Sequence, residues 1–135
     1  MTNTNRKTGV AFERDLCTSL AGYGFWVHDL AQNRQGQPFD VIAVRNYVPH
    51  AIDCKDCAKN VFRLDRMEEN QITAMTRWRE TGNGDGWFML RLTSGEVFAL
   101  SFSGLMSLAQ TRKVLTETEI RTVGTPLAAW VELCA

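Results

Sequence analysis

One change of period constrains this chain more than any other feature. Gly9, Phe12, Glu13, Leu16, Cys17 and Leu20 recur at steps of three and four, so a helix from about Arg6 to Tyr23 would carry them on one face. Gly22 and Gly24 end that helix. Three strand-like runs then follow in succession: Phe25–Leu30, Pro38–Val44 and His50–Asp56. A polar loop, 31–37, separates the first two, and a proline opens the second at the position where a strand tolerates it. Arg45–Pro49 is short enough to make the last two runs a hairpin.

The second half repeats the alternation. Asp65 reads as an N-cap with Glu68 as its capping-box partner, opening a helix to about Thr81. Its inward stripe is Met67, Gln71, Ala74, Met75 and Trp78. Gly82–Gly86 is a flexible connection. Trp87–Thr93 and Glu96–Leu100 are strands joined by Ser94-Gly95. Helical pieces are expected at Ser103–Gln110 and after the capping pattern Thr116–Glu119, and Leu127–Leu133 is a strand or a docked tail. The order αβββαββ predicts an α/β fold, a central mixed sheet flanked by helices. At 135 residues the chain is expected to form one domain.

Some classes are set aside. No apolar run reaches the roughly 20 residues of a membrane helix, and the polar start Met1–Thr8 does not resemble a signal peptide. A cytoplasmic location, in a bacterial or phage-infected cell, is the expectation. Net charge is zero, which argues against an indiscriminate nucleic-acid binder, yet eleven of the fifteen basic residues precede position 81. If carboxylates in that stretch hold a metal ion, the remaining field turns positive; a mixed solvated surface is the alternative. Cys54 and Cys57 form a CxxC, but there is no second pair, and His28 and His50 lack zinc-finger spacing. Zinc is not expected, and the two thiols read as strand-end residues.

The informative residues are polar groups where the periodicity would bury them. Glu13 lies on the apolar stripe of the first helix. A buried carboxylate costs several kcal/mol unless it is paired. Asp40 shares a strand face with Ile42 and Val44, and Asp53 and Lys55, two apart, leave one face of theirs. Gln71 interrupts the stripe of the second helix. Singly, each has an ordinary explanation: an arginine partner, a strand-start cap, an exposed edge. Together they suit phosphodiester hydrolysis. Mg²⁺ takes oxygens from one or two carboxylates plus waters and substrate. Asp40, Asp53 and the Cys54 main-chain carbonyl can supply such oxygens. Lys55 can orient or deprotonate the attacking water and offset developing charge. Glu13 can hold a metal-bound water or a second ion, and Gln71 can hold the lysine or a phosphate oxygen.

With these residues in view, the chain resembles the PD-(D/E)xK nuclease superfamily. The marks are Pro38-Phe39-Asp40, then Asp53-Cys54-Lys55 after a twelve-residue gap, and Glu13 within Gly9-Val10-Ala11-Phe12-Glu13. Within the superfamily it is most similar to Holliday junction resolvases, RecU-type and archaeal, over roughly residues 6–108. That likeness implies metal binding by Asp40 and Asp53, catalysis assisted by Lys55, support from Glu13 and Gln71, and a homodimer acting on branched DNA. Mg²⁺ is the implied ion, with Mn²⁺ able to substitute. The loop 31–37 is too short to hold the projecting stalk that RecU-type resolvases use at the junction centre.

The expected activity is a structure-selective DNA endonuclease of junction-resolvase type. The alternatives are another nuclease of the same fold, of restriction or repair type, and a non-catalytic nucleic-acid-binding module. Arg6, Lys7, Lys59 and Arg63 flank the expected pocket and are candidate phosphate contacts. Trp26, Trp78, Trp87 and Trp130 read as core or dimer surface rather than base-stacking platforms.

Overall fold

The structure, a computed structural model, describes residues 3–30 and 38–134, with side chains from Thr8 onward. The loop 31–37 and the side chains of Arg6 and Lys7 lie outside the described residues. Helix α1 (Asn3–Gly22) buries Phe12, Leu16 and Leu20, the stripe expected from their spacing. Gly24, at φ +93°, turns the chain into strand β1 (Trp26–Asp29). Strands β2 (Val41–Arg45) and β3 (Val48–Asp56) are antiparallel, with Arg45 opposite Val48. Their turn is tighter than the expected Arg45–Pro49. Asn46 and Tyr47, at φ +53° and +69°, form a two-residue loop that matches the twist of the hairpin. Pro38 and Phe39 stand outside β2, and Phe39 is buried edge-on to Trp78 at 5.8 Å.

A two-residue strand β4 (Phe62–Arg63) and a single 3-10 turn, Leu64–Arg66, lead to α2 (Glu69–Glu80). The N-cap of α2 is Glu68, not Asp65. Asp65 sits in the preceding turn, ion-paired with Arg63, and the partner at the third helical position is Gln71. Strand β5 (Trp87–Arg91) is parallel to β3, because α2 carries the chain back across the sheet. Strand β6 (Val97–Ser101) returns antiparallel to β5, as the Ser94-Gly95 signal implies. Helix α3 (Phe102–Ala109), strand β7 (Val114–Leu115), helix α4 (Glu117–Val123) and strand β8 (Thr125–Pro126) follow. The capping box at Thr116 and Glu119 is present. Leu127–Leu133 is helix α5, neither strand nor tail: Leu127, Trp130, Val131 and Cys134 all meet the core at helical spacing.

The main sheet has the order β1-β2-β3-β5-β6-β8, and β4 pairs with β7 beside it. Helices α1 and α5 cover one face, where Phe12, Leu16, Leu20 and Trp130 meet Val41, Ile52, Met89 and Ala99. On the other face, Met75, Phe102, Leu105 and Ile120 meet Ala51, Phe88, Leu90, Phe98 and Leu100. Alternate residues of β3, β5 and β6 therefore enter opposite layers, so the middles of β5 and β6 are apolar on both faces, while β3 turns polar at Asp53–Asp56. No helix among the described residues is long and apolar enough to cross a membrane.

One detail of register places the site. Val41, the first residue of β2, lies opposite Ile52. Beyond it, Asp53–Asp56 pairs with β5 on one side and, among the described residues, has no strand partner on the other, where the Asp40 N–H donates to the Ile52 carbonyl at 3.0 Å.

Candidate functional site

Where β2 stops, β3 has a backbone donor without a strand partner. The Asp40 carboxylate takes it: the Cys54 N–H donates to Asp40 Oδ2 at 2.8 Å. Asp53, one residue earlier and on the α2 side, has a side chain only 1% exposed. Its Oδ1 accepts from Gln71 Nε2 at 3.1 Å, and its Oδ2 lies 3.2 Å from Lys55 Nζ, an ionic contact without hydrogen-bond geometry. The same glutamine accepts the Glu68 N–H through Oε1 at 3.1 Å. An amide is needed here, since its two ends donate to one partner and accept from the other. Gln71 thus caps α2 and holds Asp53 with one side chain.

Glu13 reaches this point from the opposite layer, its carboxyl against that of Asp40. Burial, then Asp40 and Asp29, push it up from 4.5 to about 8, against an opposing pull from Lys55. Asp53 is held well above the usual range, by burial first and then by Asp40. Glu13 Oε2 and Asp53 Oδ2 are buried without hydrogen-bond partners. Asp40 is the link between the two, acting on Glu13 and on Asp53, and the positive charge of Lys55 acts on both as well. Crowded, buried carboxyls of this kind are costly to ionise, and a bound cation offsets that cost.

The five residues singled out from the sequence therefore come together. Glu13, Asp40, Lys55 and Gln71 line a cleft of about 580 Å³, and Asp53, itself buried, contacts the lining residues Lys55 and Gln71. Thr8, Gly9 and Val10 of α1 make one wall, and Lys59, Arg63 and Arg66 contribute to the rest. Lys59 and Arg63 thus fall where phosphate contacts were expected.

Three participants were not read from the sequence. Asp29, at the end of β1 opposite Val41, adds its charge to Glu13. Arg66 lines the cleft and donates to the Asp56 carbonyl at 3.1 Å. Arg91 pairs with Asp56 at 2.9 Å and Asp15 at 3.4 Å and lies 4.7 Å over Phe12, tying α1 to the end of β3. The last had a signal: it is the only charge in the apolar run Trp87–Leu92.

The donor set fits a hard divalent ion. Among the described residues, no group of three or more Asp, Glu, His or Cys side chains is placed to hold a metal ion. An open site that leaves positions for water and substrate uses only one or two carboxylates. Glu13 Oε2 and Asp53 Oδ2, which accept no hydrogen bond, are oxygens of the required type. Cys54 and Cys57 part company: Cys54 packs in the α1 layer and Cys57 in the α2 layer.

A family model for the archaeal Holliday junction resolvase (Hjc) matches residues 4–134. The chain belongs to this family. Resolvases of the Hjc family are divalent-metal-dependent nucleases, and the chain is accordingly a junction-resolvase endonuclease. Among solved structures, the chain is similar to Archaeoglobus fulgidus Hjc, described as a Holliday junction resolvase from an archaeal hyperthermophile. The two share 22% identity and superpose with a TM-score of 0.68 over 93% of this chain and 96% of that one. At that identity the likeness shows the shared nuclease fold. No curated protein sequence matches significantly.

Proposed function

We propose that this resolvase, a single nuclease domain over residues 1–135, cuts branched DNA with Mg²⁺ as its ion, and that Mn²⁺ substitutes. The observation that carries the reading is that Asp40 and Lys55 act on both Glu13 and Asp53, with one buried oxygen each of Glu13 and Asp53 accepting no hydrogen bond. Asp40 and Asp53 are the residues that would hold the ion. The Cys54 carbonyl would join them, since the N–H and C=O of one strand residue leave by the same edge and its N–H faces Asp40. Glu13 would act through a water. When bound, the ion supplies Lewis-acid stabilisation of negative charge at the phosphate.

The chain's own groups do the rest. Lys55, anchored by Asp53, presents its ammonium to the attacking water and to charge building on the phosphate. Gln71 keeps Asp53 from rotating away. Lys59 and Arg63 take flanking phosphates, and Arg6 and Lys7, just ahead of Thr8 in the chain, are proposed as further phosphate contacts from the sequence alone. A junction is cut at two symmetric positions and one cleft cuts one strand, which supports a homodimer. Trp26, 62% exposed on edge strand β1, leaves apolar surface free for a second copy.

The test is cleavage of four-way, nicked, flap and linear DNA with Mg²⁺, Mn²⁺ or EDTA. Paired symmetric cuts confined to the four-way junction are expected. Asp53→Asn and Lys55→Ala should abolish cutting and leave binding within about threefold of the unsubstituted protein, because phosphate contacts carry most affinity. Cleavage of no substrate with either metal would overturn the reading.

A further inference from the structure

Among the described residues, six glycines have a geometric reason, a close neighbour or a positive φ. A Cβ on Gly86 would meet Met75 Sδ at 2.6 Å, one on Gly124 the Ile120 carbonyl at 2.6 Å, and one on Gly104 Ser101 Oγ at 2.8 Å. Gly24, Gly82 and Gly95 hold positive φ, Gly22 closes α1, and Gly84 sits in the coil before β5.

Gly9 has none of these reasons. It lies inside α1 and is not in the left-handed region, and a Cβ built on it meets nothing within 4 Å among the described residues. Glycine inside a helix destabilises it relative to alanine. A helix glycine with open space above it marks a place where something outside the chain comes close to the backbone. Here that space is the cleft. Gly9 is one turn before Glu13, about 6 Å along the same helix face, and both line the cleft with Thr8 and Val10. Four cations, Lys55, Lys59, Arg63 and Arg66, line it beside four carboxylates, Glu13, Asp40, Asp56 and Glu68, so a phosphate filling the space would be held by the cations while a metal ion offsets the carboxylates.

We propose that Gly9 keeps this wall of the cleft bare so that the sugar–phosphate backbone of the DNA strand being cut can lie against α1 beside Glu13. The proposal deepens the nuclease reading above and rests on it. Gly9 is then a specificity-determining residue: it sets how closely the strand approaches the carboxylates, and it takes no part in the chemistry.

The test sets fold against function. Gly9→Ala should raise the Tm of the metal-free protein by about 2–4 °C, because it removes a helix-interior glycine without a clash. The same variant should lower kcat/KM on four-way junction DNA at least about tenfold, and Gly9→Leu about a hundredfold, as misplaced reacting groups do. The loss should appear in KM and in binding as well as in kcat. Ser19→Leu, on the exposed side of α1, is the control and should leave cleavage unchanged. Full activity in both Gly9 variants of an active protein overturns this inference alone. So does a lowered Tm in Gly9→Ala, which would mean that the glycine serves the fold. Absence of cleavage by the unsubstituted protein overturns the nuclease reading and this inference with it.

Discussion

Glu13→Gln should stabilise the metal-free protein while disabling it. The substitution keeps size and removes charge. The carboxyl is pushed from 4.5 to about 8 by burial, then by Asp40 and Asp29. Between those values the folded protein holds a proton that the unfolded chain has released, so stability declines as pH rises from 4.5 to 8 and is level above. Each tenfold in proton affinity is about 1.4 kcal/mol, so a fully enclosed group displaced this far would cost about 5 kcal/mol. Glu13 is half-buried and lies against Asp40, and solvent screening reduces the cost to about 1–2 kcal/mol. At pH 8 in EDTA the glutamine variant should therefore melt about 3–8 °C higher. The gap should close by pH 4.5, where both forms are neutral. Added Mg²⁺ should reverse the order, because binding to the folded state stabilises by RT ln(1 + [L]/Kd) and the variant has lost part of the site. Thermal melts across pH, with and without metal, measure all of this. Melting curves of the two proteins that run parallel from acid to alkaline pH would refute the electrostatic account of the cluster.

Gln71→Ala removes both the cap of α2 and the hydrogen bond to Asp53; denaturant unfolding should show a loss of about 1–3 kcal/mol, and cleavage should fall with it. Gln71→Glu should restore the cap but not activity, since it cannot donate to Asp53. His50 is buried between Phe25 and Trp130 with its pKa lowered, by burial first and then by Arg45. The unfolded chain thus binds the extra proton, and the His50 contribution to stability is lost as pH falls below 6.5. Compared with wild type by melts between neutral and acid pH, His50→Phe should lose less stability on acidification. Gly124→Ala would place a Cβ 2.9 Å from Phe98 Cβ and 2.6 Å from the Ile120 carbonyl, and should lower stability by about 1–3 kcal/mol without changing kcat.

The polar residues on buried stripes were readable because helix and strand periods are local. Glu13 one turn from Gly9, and Asp53 two residues from Lys55, share faces in any fold that makes those elements. The capping box was misplaced by one turn because Asp65 and Glu68 fit its spacing as well as Glu68 and Gln71 do, and only the docking of Gln71 onto Asp53 separates them. Asp29 and Arg66 were missed because nothing in their own segments marks them; each becomes part of the site through a neighbour distant in sequence.

By itself, then, the sequence determined which chemical groups were present, their order on helix and strand, and the family likeness they carry. Only the tertiary structure decided that they meet. Glu13 and Gln71 belong to opposite layers, and they reach Asp40 and Asp53 at one cleft because β3 runs on past the start of β2 at the end of the sheet. That opening depends on strand register, which is set by how two strands pack against both layers at once. The bare helix wall at Gly9 is of the same kind: the glycine is visible in the sequence, but the empty space above it exists only once the chain is folded.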